Sequence, residues 1–155
     1  MIMWFSGSGD TVELEKIFDK VHKHCMRNGT IFVGCDSQIT KDLCVYSVVI
    51  CMHGADDQHG GYYFYKREKK KRNDYPTMIL RLLREVELSI EIGYNILEQS
   101  PEADIEIHID ANSRKDKPTG RFADMLMGYA KGAGFRCKIK PDAWASNSIA
   151  DKHSK

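Results

Sequence analysis

The chain has 155 residues, enough for one domain with an ordinary hydrophobic core. Its 42% hydrophobic and 29% charged residues are those of a soluble globular protein, and 23 Lys plus Arg against 22 Asp plus Glu exclude a global field aimed at a polyanion. No apolar run approaches a membrane span, no signal peptide is evident, and five cysteines without a C-x-x-C pair point to reduced thiols in a cytoplasmic protein.

Asp10 and Thr11 stand where they can cap a helix whose apolar positions, Leu14, Ile17, Phe18, Val21 and Cys25, recur at helical spacing. Asn28 and Gly29 tolerate the left-handed conformation that ends it. Thr30 to Gln38 then reads as a buried strand, and Asp36 arrives just as its apolar run stops. A carboxylate at that point is costly to bury unless paired or metal-bound. Asp and Ser also open turns, which is the plainer explanation for Asp36 and Ser37. Leu43 to Met52, rich in Val, Ile and Cys, predicts a second strand, and Tyr62 to Tyr65 a short aromatic third, after a loop of Gly, Asp and His.

Lys66, Arg67, Lys69, Lys70, Lys71 and Arg72 make six basic residues in seven, interrupted only by Glu68. Such a run is commonly a solvated loop. Beside Tyr62, Tyr63 and Tyr75 it is equally suited to gripping the phosphates of a nucleic acid. Pro76 and Thr77 open the longest helical pattern, which runs to about Gln99 with Leu83, Val86, Ile90, Gly93 and Leu97 as its buried stripe. Glu85 and Glu87 border that stripe on opposite sides, and spacing does not choose between them.

Asp104 to Asp110 alternates with period two: Ile105, Ile107 and Ile109 on one face, Glu106, His108 and Asp110 on the other. This strand too finishes on an aspartate. A further helix begins at Thr119 or Gly120, Phe135 to Ile139 gives a last strand, and Pro141 stops it before Asp142. Ala143 to Lys155 is expected to form one helix, with Asn147 a candidate cap.

This order predicts an α/β fold in one domain: a mixed five-stranded sheet flanked by helices over residues 30–155, preceded by a helical extension over 1–29. If the first and fourth strands lie adjacent and parallel, Asp36 and Asp110 emerge side by side at their carboxyl ends, where open α/β sheets place their sites. Like charges so close raise each other's pKa unless a cation sits between them. Ligands that offer only oxygen suit Mg²⁺ or Mn²⁺ better than zinc.

Four segments, Gly34-Cys35-Asp36-Ser37-Gln38, Glu87-Leu88-Ser89-Ile90, His108-Ile109-Asp110 and Lys138-Ile139-Lys140-Pro141-Asp142 with the tail to Lys155, resemble in order and spacing the ribonuclease H-like proteins. More narrowly they resemble the YkuK-type ribonuclease H-like family, over nearly the whole chain after residue 29. The resemblance implies a ribonuclease H-like fold and a Mg²⁺- or Mn²⁺-dependent, two-metal nuclease acting on RNA, RNA–DNA hybrid or structured DNA. Carried over, Asp36, Glu87 and Asp110 become its acidic core, and the resemblance alone selects Glu87 over Glu85. A fourth carboxylate is expected near the last helix. Asn147-Ser148-Ile149-Ala150-Asp151 resembles the family's Asn-x-x-Ala-Asp pattern and favours Asp151, while Asp142, in the Lys-Pro-Asp motif, is the rival. His108 and Lys140 are candidates for supporting positions, with sheet packing and surface exposure as their plain alternatives.

Two other functions compete. A non-catalytic nucleic-acid-binding protein of the same fold would gain nothing from clustered carboxylates. An actin-like nucleotide-binding domain would need glycine where Gln38 stands, so that backbone could approach phosphate.

Overall fold

Three long antiparallel strands form the centre of the fold in the computed structural model, which describes residues 3–114 and 116–155. They are β3 (Thr30–Ile39), β4 (Leu43–His53) and β5 (Tyr62–Lys71). β4 is buried from Cys44 to Met52, so its Val- and Ile-rich run is covered on both faces rather than alternating. After the helix α2 (Met78–Gln99) comes β6 (Asp104–Asn112), which lies parallel to β3 in the register Gly34↔His108. The helix α3 (Ala123–Gly132) leads to β7 (Arg136–Lys140), parallel to β6.

The sheet has seven strands rather than the expected five, in the order β2-β1-β5-β4-β3-β6-β7. The added strands are β1 (Trp4–Ser6) and β2 (Thr11–Val12), a hairpin that joins the edge of β5 through Trp4↔Lys66 and Ser6↔Phe64. Runs of three and two residues are too short to display a strand period. Thr11 therefore pairs with Phe5 instead of capping a helix, and α1 (Leu14–Met26) begins after Glu13. The first 29 residues thus carry two strands as well as the expected helix.

The basic run is also strand, not loop. β5 pairs with β4 from Met52↔Tyr62 through to Leu43↔Lys71. The reason is β4 itself: its backbone needs a partner along its whole buried length.

α1, α2 and α3 cover one face of the sheet around a core that includes Ile17, Val33, Ile50, Val86, Ile107 and Leu126. On the other face lies the end of the chain, as a π-helical run Ala145–Ala150 followed by the short helix α4 (Asp151–Ser154). The single tail helix expected to start near Asn147 is thus replaced by a wider-wound turn. Gly34 permits this segment to dock: a Cβ there would meet Ser146 backbone nitrogen at 2.7 Å. Among the described residues, no helix is long and apolar enough to cross a membrane.

Candidate metal centre

Parallel pairing of β3 and β6 brings both strand ends to one place, and with them Asp36 and Asp110. The third carboxylate comes from α2. One oxygen each from Asp36, Glu85 and Asp110 lies within 4.8 Å of the others. Asp36 and Glu85 are buried and Asp110 is partly so.

Glu85, not Glu87, is the residue the helix presents. Successive residues turn about 100°, so Glu87 is roughly 200° around the axis from Glu85. Glu87 is half exposed and ion-paired to Arg84 on the solvent side of α2. The difference arises from the stripe. Leu82, Val86, Ser89, Gly93 and Ile96 are its buried centre, one position back from the Leu83 and Leu97 expected at its ends. That shift turns Glu85 inward.

The site holds its acids under strong electrostatic tension. Burial, then hydrogen bonding with Asp110 and its charge, pushes Asp36 up to about 8. Burial likewise drives Glu85 well above the usual carboxylate range, with the Asp36 charge adding to it. Ser37 donates to Glu85 Oε2 at 2.7 Å, while Glu85 Oε1 is buried and makes no hydrogen bond among the described residues. Lys140 sets its Nζ 2.8 Å from Asp110 Oδ1. Burial alone would lower the Lys140 pKa, but Asp110, Asp36 and Glu85 outweigh it and hold the ammonium above its ordinary value.

The C-terminal segment completes the site. Ser154 Oγ donates to Asp36 Oδ2 at 3.0 Å, and Gln38 Nε2 reaches Asp36 Oδ2 at 3.4 Å and Asp151 Oδ1 at 3.2 Å. Asp151 thus stands next to Asp36. Burial raises its pKa, but Lys155, at 3.1 Å, together with Asp36 and Lys140 brings it below the ordinary value. Asp142 is exposed in the turn after β7, its N–H bonded to Ile139 oxygen, and it is not among the residues that converge.

His108 supports this arrangement from beneath. Its Nδ1 accepts the N–H of Ala145 at 3.0 Å, so the ring proton sits on Nε2, facing Glu106 Oε2 at 3.4 Å. Burial lowers its pKa and keeps the ring neutral. Phe32 and Trp144 pack on it with ring centroids at 5.3 and 5.1 Å. His153 of α4 stacks on Tyr65 at 3.7 Å and hydrogen-bonds Tyr63 at 2.7 Å.

Alternation along β5 divides the basic residues between two faces. Arg67 pairs with Ser47, which pairs with Asp36; Lys69 pairs with Val45, which pairs with Gln38. Arg67, Lys69 and Lys71 therefore share the face of Asp36. Lys66 and Lys70 project from the other, where Lys66 lies over the Trp4 ring at 5.5 Å. Arg72 begins the following turn and donates to Thr40 oxygen.

Sequence reasoning missed Ser37, Gln38 and Ser154 as partners of the carboxylates. Ser37 and Gln38 follow Asp36 directly, so their proximity was available; Ser154 carried no signal.

A mixed sheet of this order, with carboxylates gathered at the ends of its first two central parallel strands, defines the ribonuclease H-like class. The family model described as Ribonuclease H-like matches residues 13–155, and the chain belongs to that family. No curated protein and no solved structure shows significant similarity to the chain.

Membership links the protein to nucleic-acid chemistry, and the fold typically employs divalent metals. The residues present fit such an ion: the donors are all carboxylate oxygens, and Glu85 Oε1 is a buried acceptor without a hydrogen-bond partner among the described residues.

Proposed function

We propose that this protein is a divalent-metal-dependent nuclease that cleaves phosphodiester bonds in RNA, RNA–DNA hybrid or structured DNA. Asp36, Glu85 and Asp110 would hold Mg²⁺ or Mn²⁺, with Asp151 as the fourth carboxylate beside Asp36. Ions held by these carboxylates would supply activation of water and stabilisation of the leaving oxygen of a phosphodiester. The chain's own part is to hold the acids together. Ser37 orients Glu85, Gln38 ties Asp36 to Asp151, and Ser154 fixes Asp36. Arg67, Lys69 and Lys71, on the face of Asp36, would carry the phosphate backbone toward the carboxylates.

The observation that carries this reading is the inward Glu85, buried with one oxygen unpaired among the described residues. A carboxylate so placed is costly unless a cation or a proton satisfies it. The test is a panel of hybrid, double-stranded RNA, junction and single-stranded substrates, run with Mg²⁺ and with Mn²⁺. Cleavage that needs the metal and is lost in Asp36→Asn and Asp110→Asn supports the nuclease. Substrate binding without cleavage, by a protein that binds neither ion, would establish the non-catalytic binder instead.

A further inference from the structure

β6 and β7 run in register through His108↔Lys138, and pairing resumes only at Asn112↔Lys140. Four residues of β6 therefore advance against two of β7. This irregularity leaves Ile109 to Ala111, with Asp110 at their centre, without partners on β7, as bulges beside active sites do. Regular pairing would set Lys140 opposite Asp110; the irregularity moves its backbone partner on to Asn112, yet its side chain still reaches Asp110. The ammonium lies 2.8 Å from Asp110 Oδ1, an oxygen that makes no hydrogen bond of ordinary geometry among the described residues. Lys140 is partly buried, its side chain 37% exposed, and Asp110 18% exposed. Lys155 is engaged separately with Asp151.

We propose that Lys140 is the built-in counter-ion of the acidic centre, occupying Asp110 in the metal-free protein and giving way when a divalent cation binds. Lys140 has this role only if the carboxylates hold a cation, as proposed above. A lysine is suited to the exchange: its ammonium is a compact charge on a flexible stem, able to swing off a carboxylate without disturbing the strand. Arginine, gripping the carboxylate with two parallel hydrogen bonds, would release it less readily. One positive charge at Asp110 offsets part of the repulsion among Asp36, Glu85 and Asp110 until a stronger cation arrives.

The experiment measures Mn²⁺ binding by calorimetry and by the electron paramagnetic resonance of free Mn²⁺, on wild type, Lys140→Met, Lys140→Gln and Lys140→Arg. Removing the competing charge should tighten Mn²⁺ binding roughly tenfold or more in the Met and Gln variants. In EDTA those two should melt below wild type, and saturating Mn²⁺ should raise their melting temperature more than it raises that of wild type. Lys140→Arg should bind Mn²⁺ no tighter than wild type. Equal Mn²⁺ affinity in wild type and both neutral variants would overturn the counter-ion while leaving the metal centre intact. A gain in Lys140→Arg equal to that in Lys140→Met would also overturn it, since charge would then not be the cause. Absence of Mn²⁺ binding in every form would remove the metal centre itself, and the counter-ion with it.

Discussion

Gln38 hydrogen-bonds Asp151 across 113 positions of sequence, from the end of the first central strand to the last helix. The same amide faces Asp36, so one side chain joins two of the four carboxylates gathered at this site. Among the described residues, the carboxylate from α2 is hydrogen-bonded to Ser37 and has no such tie to the tail. It depends on the rotation of its helix.

That rotation separates Glu85 from Glu87 sharply. Outer partners of metal ligands already contribute about 10- to 100-fold in affinity or activity, so Glu85→Gln should cost metal-dependent cleavage at least that. Glu87→Gln removes only an exposed pair with Arg84, and should leave cleavage within about fivefold. Rates of the two variants at saturating Mg²⁺ decide the matter; a larger loss in Glu87→Gln would place the ligand on the other side of the helix.

Stability without metal should fall as pH rises. Asp36 keeps its proton to about 8 in the folded protein, against an ordinary value of 3.8 in the unfolded chain. Between those values the folded state holds the extra proton, so raising the pH favours unfolding. From pH 6 to pH 8 the loss is about 2 kcal/mol for this one group. Glu85, shifted in the same direction, adds to it. Urea denaturation in EDTA should show the decline, and Asp36→Asn should flatten it. Stability that stays level or increases over this range in wild type would contradict the shift.

The two faces of β5 allow a paired test of nucleic-acid binding. Arg67→Ala with Lys69→Ala should weaken binding and reduce the slope of log K against log salt by about 2, near one unit for each phosphate no longer neutralised. Lys66→Ala with Lys70→Ala, on the opposite face, should change the slope little. Equal effects from both pairs would mean that the substrate is held by net charge and not by the face of Asp36.

His108 offers a test of how Asp151 is held. His108→Ala leaves the Ala145 N–H buried without its acceptor, a change that costs about 1–3 kcal/mol. Amide hydrogen exchange should quicken across residues 145–154 well before β3 and β4 are affected. Uniform acceleration over the whole sheet would show instead that His108 serves the core at large.

Much of this architecture was legible because strand signals in the middle of the chain are long. The apolar run into Asp36 and the alternation into Asp110 each specify a strand, though the strands continue past the acids to Ile39 and Asn112, and parallel pairing then makes the two acids neighbours. What was hidden depended on contacts between distant parts. Trp4 to Ser6 becomes a strand only because β5 presents a free edge. Lys66 to Lys71 has the composition of a loop and is made strand by β4. The inward turn of Glu85 rests on a one-residue shift of an apolar stripe bordered by leucines on both sides, which periodicity resolves poorly. Asp151 stands beside Asp36 because Gly34 admits the tail; the pattern from Asn147 to Asp151 singled the residue out by resemblance, while the docking itself depends on distant Gly34.

Docking of the tail on β3 has a consequence for how the protein is made. Ser154 reaches Asp36 over 118 positions, and closures of that length form late because the chain entropy is lost before any contact rewards it. During synthesis the β3–β4–β5 meander can pair long before residues 145–154 leave the ribosome. A chain truncated after residue 144 should accordingly take up Mn²⁺ far more weakly than one that carries residues 145–155; equal uptake would show that the tail is dispensable. Until those residues have been made, Gln38 and Asp151 cannot meet, so the surroundings of Asp36 are the last part of this arrangement to be assembled.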